Sequence, residues 1–460
     1  LYMFKQIILL SLLFISHIAF SQLNPAITKW LQNTTLTGNY YVSGNSTAIS
    51  NGILVNCQEV SYSANSVYVK TNGIPAYAVG PYLDGNPNQA GSQNAIFKFP
   101  LNPSKNTGTL TATSGGNIGV FINGVAMFDY RDGVAWNTST NSLCGGPGRT
   151  PCPGGMGATQ AWNRDAVIAE RAGFDCAKGH PAGTNYHHHQ NPSAFKLDLN
   201  VVSNICNLYD ADGLYTINSA QHSPLIGFAY DGYPVYGAYG YANNDGTGGI
   251  TRIKSGYQLR NITMRTHHAN GTDVGDGPVV NNTYPLGYFR EDYEWVSHPN
   301  DQSYLDVHNG RFCVTPEYPN GIYCYFATVD EKHNSTYPYL VGPTYYGNVI
   351  ASKVTNINES VTKYTPNTTS IGEQGNFNKS NFKVIVNSTA ELIAIQATHF
   401  IEKEVNLELI DIHGHLIKTN KIHQGQTLSY FPTEDLYAGT YILKIFNREV
   451  NESHKFILTK

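Results

Sequence analysis

The sequence predicts a mainly β protein, in which a large, irregular β-rich domain is followed by a small C-terminal β-sandwich. The first observation is a pattern of short alternating apolar segments separated by Gly, Asn and Pro. The second is the composition, with 44 Gly and 32 Tyr but only 13% charged residues. Because 41% of the residues are hydrophobic, the chain can bury a core and is not expected to be disordered. Its 460 residues exceed one ordinary domain.

The first element is an export signal. Residues 1–21 combine the early Lys5 with an apolar run and with small residues at Ala19 and Ser21. This pattern is typical of a secretory signal peptide, and we expect cleavage after Ser21. The alternative is a membrane anchor, but the apolar run is shorter than the roughly 20 residues that span a bilayer.

Charge and hydropathy argue against a nucleic-acid partner and against a transmembrane segment. The formal net charge is −4, and Lys and Arg form no cluster, so no nucleic-acid partner is expected. No stretch after the signal peptide is apolar enough to cross a bilayer, so no transmembrane segment is expected. The mature protein should therefore lie outside the inner membrane, secreted or attached to a surface.

The β-rich domain is expected over residues 22–350. Its strand segments include "SVYVKT" and "AIFKFP", and Asn123-Gly124 between two apolar runs is a strong hairpin signal. Residues 133–160 form a long Gly-, Pro- and Ser-rich loop, of a length that is usually functional or disordered.

The composition changes after residue 350. Residues 351–381 are polar and rich in Asn, Thr and Ser, without an apolar period, which predicts a linker. Apolar alternation returns in 382–460, for example at Val405, Leu407 and Leu409. This last segment is expected to form a small β-sandwich.

The seven cysteines allow disulfides, because export delivers the chain to an oxidising compartment. The best pair is Cys313/Cys324, since both flank the turn "PEYPNG" at equal distance from its centre. The other cysteines give two further pairings and one leftover: Cys144 with Cys152 around a loop, Cys176 with Cys206, and Cys57 alone. An odd count leaves at least one free thiol.

Four histidines lie within ten positions, in "HPAGTNYHHHQNP" at residues 180–192. If this segment is a strand, His187 and His189 point to one face, with Cα atoms about 7 Å apart. Two imidazoles at that spacing can bind one metal ion. His188 should face the other way, where it packs or forms a hydrogen bond.

Three residues are candidates for the remaining donors, since first-row metals take four or more ligands. His180 precedes the short turn "PAGTN" and can fold back towards the pair. His222 opens the strand segment "HSPLIGF". Asp231 follows that strand and can act as an oxygen ligand or as a partner that orients an imidazole. The set predicts a divalent transition metal, with copper or zinc ahead of nickel and iron. Calcium would need more oxygen donors.

The C-terminal segment resembles the type A sorting domains of the type IX secretion system of Bacteroidota. The resemblance is carried by "VNLELIDIHGHLIK", "LYAGTYILKI" and the terminal "HKFILTK". It implies the type IX secretion machinery as a partner, export across the outer membrane, removal of this domain, and release or attachment at the cell surface. A generic sandwich, such as a carbohydrate-binding module, is the alternative.

The preceding part, roughly residues 25–348, resembles the YHYH family. Matching blocks are "GFDCAKGHPAGTNYHHHQNP", "HSPLIGFAYDGYPVYGAYGY" and "NGRFCVTPEYPNGIYCYFATVD". The motif's second Tyr is His188 here, whereas both of its histidines, His187 and His189, are present. The resemblance implies no defined activity.

Two functions remain open from the sequence. The first is an exported protein with a histidine-ligated metal site, which extends to a metal-dependent enzyme of unknown substrate. The second is a non-catalytic binding or adhesion module, in which tyrosine-rich segments such as "YDGYPVYGAYGY" contact extracellular glycan or protein. No nucleophile elbow, His-Glu-x-x-His, phosphate loop or dinucleotide fingerprint is present.

Overall fold

The computed structural model describes residues 23–83, 88–146, 148–154, 160–198, 204–209, 211, 213–366, 382–387, 391–397, 401, 403–411, 415–448 and 450–458. The predicted signal peptide and residues 367–381 of the predicted linker lie outside this part. Strands dominate it, which confirms the mainly β class. Among these residues, no helix has both the length and the apolar character needed to span a membrane.

The region up to residue 366 is built from short strands: β1 (Thr37–Val42), β2 (Asn45–Leu54), β3 (Cys57–Tyr62), β4 (Ser66–Thr71), β5 (Ala95–Pro100), β6 (Asn117–Phe121), β7 (Ala126–Phe128), β8 (Arg131–Asn137), β9 (Ser142–Cys144), β10 (Asn163–Asp165), β11 (His180–Ala182), β12 (Asn185–His188), β13 (Leu225–Ala229), β14 (Pro234–Tyr236), β15 (Tyr239–Tyr241), β16 (Ile250–Arg252), β17 (Tyr257–Leu259), β18 (Tyr293–Trp295), β19 (Gly310–Cys313), β20 (Ile322–Phe326), β21 (Ser352–Val354) and β22 (Thr362–Tyr364). Its α-helices are α1 (Pro25–Thr28) and α2 (Ala166–Glu170). Its 3-10 turns are Arg171–Gly173, Phe195–Leu197, Asn204–Asn207 and Arg290–Asp292.

The central layer is an eight-stranded sheet in the order β11-β12-β7-β6-β13-β14-β20-β19. Both of its faces are buried, as β20 illustrates. Tyr323 and Tyr325 enter one apolar core, whereas Cys324 and Phe326 enter a second core. Because both faces of this sheet are buried, its strands carry apolar residues at consecutive positions and not only at every second one.

A five-stranded sheet, in the order β21-β5-β4-β3-β22, covers one face of the central sheet. Its two edge strands come from the segment that the sequence predicts as linker. Ser352 pairs with Lys98, and Tyr364 pairs with Val60 and is buried. These strands have only three residues each, too few to show an apolar period. The first half of the predicted linker therefore belongs to the β-rich fold.

The C-terminal part forms two sheets from strands β23 (Phe382–Asn387), β24 (Leu392–Ala397), β25 (Val405–Asp411), β26 (Leu416–Ile422), β27 (Leu428–Pro432), β28 (Gly439–Phe446) and β29 (Asn451–Leu458). The orders are β23-β24-β27 and β26-β25-β28-β29. Val405, Leu407 and Leu409 are buried at alternate positions, as the pattern predicts, and they share a core with Leu443 and Ile445. This is the packing expected of a small sandwich.

Two of the three predicted disulfides form, Cys144–Cys152 and Cys176–Cys206. The predicted bridge between Cys313 and Cys324 is wrong, and both thiols are free and buried, as is Cys57. The hairpin register places Cys313 opposite Ile322 and Cys324 opposite Arg311. The turn is centred one residue earlier than its sequence suggests, and this displaces the two cysteines by two positions.

Candidate metal centre

A hairpin brings the first two histidines together. Strands β11 and β12 pair antiparallel, with His180 directly opposite His187. Gly183 has a φ of +60°, and this left-handed conformation permits the tight connection between the two strands. The turn in "PAGTN" therefore folds His180 back onto the histidine run, as the sequence predicts.

Strand β12 also pairs in parallel with β7, which fixes the direction of its side chains. His187 and His188 point to opposite faces. The Nε2 atom of His188 lies 2.6 Å from the hydroxyl of Tyr77, and Tyr186 donates to Asp175. His189 follows the strand and lies on the side of His187. The alternation thus separates His188 from the other histidines of the run.

Three imidazoles converge on one point. One ligand atom from each of His180, His187 and His189 lies within 4.8 Å of the other two. The Nε2 atoms of His187 and His189 are 3.0 Å apart. The three residues are only 7%, 1% and 3% exposed. They form a buried cluster of nitrogen donors, and we call it the histidine cluster.

Backbone carbonyls fix two of the imidazole tautomers. The Nδ1 atom of His187 donates to the carbonyl oxygen of Asn185 at 2.9 Å. That of His189 donates to the carbonyl oxygen of Asp129. With each Nδ1 carrying its proton, the Nε2 lone pair of the neutral ring points into the cluster, which is the arrangement that metal-ligating histidines use.

Glu170 lies against the histidine cluster, and no pattern in the sequence indicated it. Its Oε2 atom lies 3.1 Å from Nε2 of His189 and 3.3 Å from Nε2 of His180. Glu170 is the last residue of helix α2. Asp165 caps the start of this helix, because its side chain accepts hydrogen bonds from the backbone N–H groups of Val167 and Ile168. The side chain of Glu170 is 26% exposed as a whole, but Oε2, the oxygen nearest the imidazoles, is buried.

Charge inside the cluster is balanced between Glu170 and His189. Burial alone would raise the pKa of Glu170, but hydrogen bonds with His180 and His189 outweigh it and lower the pKa. Burial acts to lower the pKa of His189, yet the Glu170 carboxylate raises it overall. Burial and the neighbouring imidazoles lower the pKa of His187, which keeps that ring neutral.

Two phenyl rings enclose the histidines. Phe128 stacks on His187 with a centroid distance of 3.6 Å, and its ring meets His189 edge-on. Phe174 packs against His180 at 4.8 Å. These rings exclude water from the donor atoms on the inner side, so Glu170 is the most exposed member of the group.

His222 and Asp231 do not join the histidine cluster. His222 contacts the rings of Tyr236 and Tyr241, with its Nδ1 atom 2.8 Å from the Ser223 carbonyl. Asp231 accepts hydrogen bonds from the Tyr325 hydroxyl and other donors, and burial raises its pKa to about 6.

Sheet order is the reason for this separation. His222 and Asp231 flank β13, and β7 and β6 lie between β13 and β12. Three strand spacings correspond to about 14 Å. His222 and Asp231 therefore lie outside the histidine cluster, whereas Glu170 contacts it.

The motif around the cluster matches a known family. The profile described as YHYH protein matches residues 96–338, more than half of the chain. The chain belongs to the YHYH family. In this YHYH chain, both motif histidines, His187 and His189, lie in the cluster. His188, in place of the motif's second Tyr, takes the hydroxyl of Tyr77 as its partner on the opposite face.

A second profile, described as a secretion system C-terminal sorting domain, matches residues 387–459. This YHYH protein is therefore a secreted or cell-surface protein that the type IX secretion machinery handles. No curated protein matches the chain. The solved structures similar to part of this chain include a DUF3244 family protein with an immunoglobulin-like β-sandwich from Bacteroides vulgatus. It is 12% identical, with a TM-score of 0.15, over 17% of this chain and 82% of that one.

Proposed function

We propose that this protein carries one divalent transition metal ion to the cell surface or the medium. The ion is held by Nε2 of His180, His187 and His189, with Glu170 as the fourth donor. The observation that carries the proposal is the 3.0 Å separation between two buried Nε2 atoms whose Nδ1 atoms already donate elsewhere.

Electrostatics support a cation between these atoms. Two neutral imidazoles with facing lone pairs repel each other, and burial removes the water that would separate them. A cation relieves this repulsion, and so does a proton held on His189 by Glu170. We infer that the proton occupies the place of the metal in the metal-free protein, since binding of a metal by imidazoles displaces protons.

The donor spacing supports a first-row metal. Four donors at the usual zinc distance of about 2.0–2.1 Å form a tetrahedron with edges of about 3.3 Å. Three of the six donor–donor separations lie close to this edge length: 3.0 Å between His187 and His189, 3.1 Å from Glu170 to His189, and 3.3 Å from Glu170 to His180. Three nitrogens and one carboxylate oxygen suit zinc or copper(II), whereas a soft ion such as copper(I) prefers sulfur.

The proposed role is metal binding rather than a defined reaction. Four protein donors fill a tetrahedral site, and Phe128 and Phe174 cover its inner side. If Glu170 moves away, one coordination position opens, and a metal-bound water or a substrate would enter there.

The test is metal analysis of the purified full-length chain after loading with zinc or copper(II) and gel filtration. We expect about one ion per chain and loss of most of it in the double variant His187→Ala/His189→Ala. The matched control is His188→Gln, which lies between the two positions, is equally buried, and faces Tyr77. Failure of the parent to retain metal, or equal retention in the double variant, contradicts the proposal.

A further inference from the structure

We propose a second binding site, for a neutral saccharide, at the other end of the central sheet. It does not rest on the metal centre. The site is a cleft of about 410 Å³ beside the hairpin of β19 and β20. The residues along it include five aromatic ones, Tyr233, Phe312, Tyr318, Tyr323 and Tyr346. Its volume falls within the usual range of small-ligand pockets.

The hairpin places Phe312 at the mouth of this cleft. Arg311 and Cys313 are buried on one side of β19, so alternation turns Phe312 outward, where it is 59% exposed. Gly321, across the turn, has a φ of +78°, and a Cβ there would approach the Phe312 ring to 2.7 Å. The glycine lets the ring lie flat against the turn. The Phe312 ring therefore adds an exposed aromatic face to the lining of the cleft.

The opposite wall is a fixed group of tyrosines. Tyr323 and Tyr346 stack in parallel at 3.6 Å, and Tyr233 meets both rings edge-on. The Tyr323 hydroxyl is anchored on the Asp306 carboxylate at 2.9 Å. Aromatic rings held in this way offer binding area at little cost in conformational entropy.

The chemistry of the lining selects the class of ligand. None of the thirteen lining residues carries a charge, and the ammonium group of Lys105 lies 5.4 Å from the centroid of the Tyr346 ring. The lining itself therefore favours a neutral ligand. Aromatic faces bind the C–H faces of pyranose rings, and phenol and amide groups bind sugar hydroxyls. Asn102 supplies an exposed amide group next to the rings, whereas the amide of Asn24 donates to the Leu101 carbonyl and accepts from the Ala26 N–H group. Four of the five aromatic residues are tyrosines.

The two sites are far apart. Strand β12 and strand β19 are separated by six strand spacings in the central sheet, or about 29 Å. Saccharide binding and metal binding should therefore be measurable independently on the same purified chain.

The experiment is isothermal titration of the full-length chain with neutral hexasaccharides of glucose, xylose, mannose and N-acetylglucosamine. We expect at least one to bind, and Phe312→Ala and Tyr346→Ala to weaken that binding at least 10-fold. Met264→Ala is the matched control, since Met264 is 58% exposed and lies outside the cleft.

Three outcomes overturn the proposal. The first is that none of the four sugars binds. The second is that both cleft variants bind as the parent does. The third is that an acidic polysaccharide such as polygalacturonate binds in preference to every neutral sugar. Because Phe312 is exposed, its truncation should leave the fold intact, which an unchanged unfolding temperature would verify.

Discussion

The three consecutive histidines at positions 187 to 189 illustrate how the partner of one imidazole nitrogen decides what the other nitrogen can bind. The Nδ1–H groups of His187 and His189 each donate a hydrogen bond to a backbone carbonyl, so the Nε2 atom of each ring faces the centre of the cluster. His188 is equally buried, but its Nε2 atom meets a tyrosine hydroxyl. The three residues have the same side chain and adjacent positions, and their partners decide which of them present an Nε2 atom to the cluster.

The role of Glu170 gives a prediction at this scale. Glu170→Gln keeps the shape of the side chain and removes its charge. We expect the dissociation constant for zinc to rise about 10- to 100-fold, since metal-supporting partners commonly contribute that much. A competition titration with a chromophoric chelator measures it. Glu294→Gln is the control, because Glu294 hydrogen-bonds Gln258 away from the cluster. Equal affinities for the parent and Glu170→Gln would remove Glu170 from the site.

Asp231 gives a second prediction, on pH and stability. Burial raises the pKa of Asp231 to about 6 in the folded protein, against about 3.9 in an unfolded chain. The folded state therefore holds more protons between these values, and this contribution to stability falls as the pH rises from about 4 to about 6. Its size is on the order of 3 kcal/mol.

Denaturant unfolding of the parent and Asp231→Asn at several pH values measures this contribution. The variant should lose part of the decrease between pH 4 and 6, because asparagine does not titrate. Its overall stability should also be lower, because the carboxylate accepts hydrogen bonds from Tyr325, Gly347 and Tyr233. Parallel pH profiles for the two proteins would show that Asp231 is ionised with an ordinary pKa.

At the scale of elements, local pattern and strand pairing act together at the β11–β12 hairpin. Period-two alternation predicts that His187 and His189 share a face, and the short turn predicts the return of His180. Glu170 follows no such rule. It lies at the end of a five-residue helix, ten positions before His180, and only the packing of that helix brings it to the cluster.

The cysteines give a prediction at this scale. Reaction of the denatured, unreduced chain with a thiol reagent should count three thiols, from Cys57, Cys313 and Cys324. The three disulfides predicted from the sequence would leave one free thiol, that of Cys57. Replacing both Cys176 and Cys206 by Ser should cost about 3–4 kcal/mol of stability, because that bridge closes a 30-residue separation.

The Cys144–Cys152 bridge is the internal comparison for that measurement. It closes a separation of only eight residues, so its removal should cost less, about 2–3 kcal/mol in the same chain-entropy account. Chemical denaturation of the two double variants compares the costs. A larger loss for the shorter loop would mean that native contacts, and not chain entropy, dominate.

At the scale of the whole molecule, the C-terminal sorting domain and the β-rich region that holds the histidine cluster have separate cores. The core of the C-terminal sandwich runs from Phe382 to Leu458, whereas the two large cores of the earlier region include no residue beyond Tyr364. Each part can therefore bury its own apolar surface.

This separation predicts the effect of deleting residues 382–460 in a host that has the type IX machinery. The shortened chain should not reach the surface or the medium, because the sorting domain is what the machinery handles. It should still bind metal when purified, since all four donors lie between residues 170 and 189. Cell fractionation and metal analysis test the two statements separately. Surface delivery of the shortened chain would contradict the first.

The sequence by itself determined the β class, the C-terminal sandwich and the export route, and it predicted that His180, His187 and His189 lie together. All of these rest on local period, local turns or a contiguous motif. Only the tertiary structure decided that Glu170 joins the cluster, that His222 and Asp231 do not, and that Cys313 and Cys324 stay unpaired. The physical reason is that strand order and register follow from burying apolar surface between segments distant in sequence, which spacing along one strand does not encode.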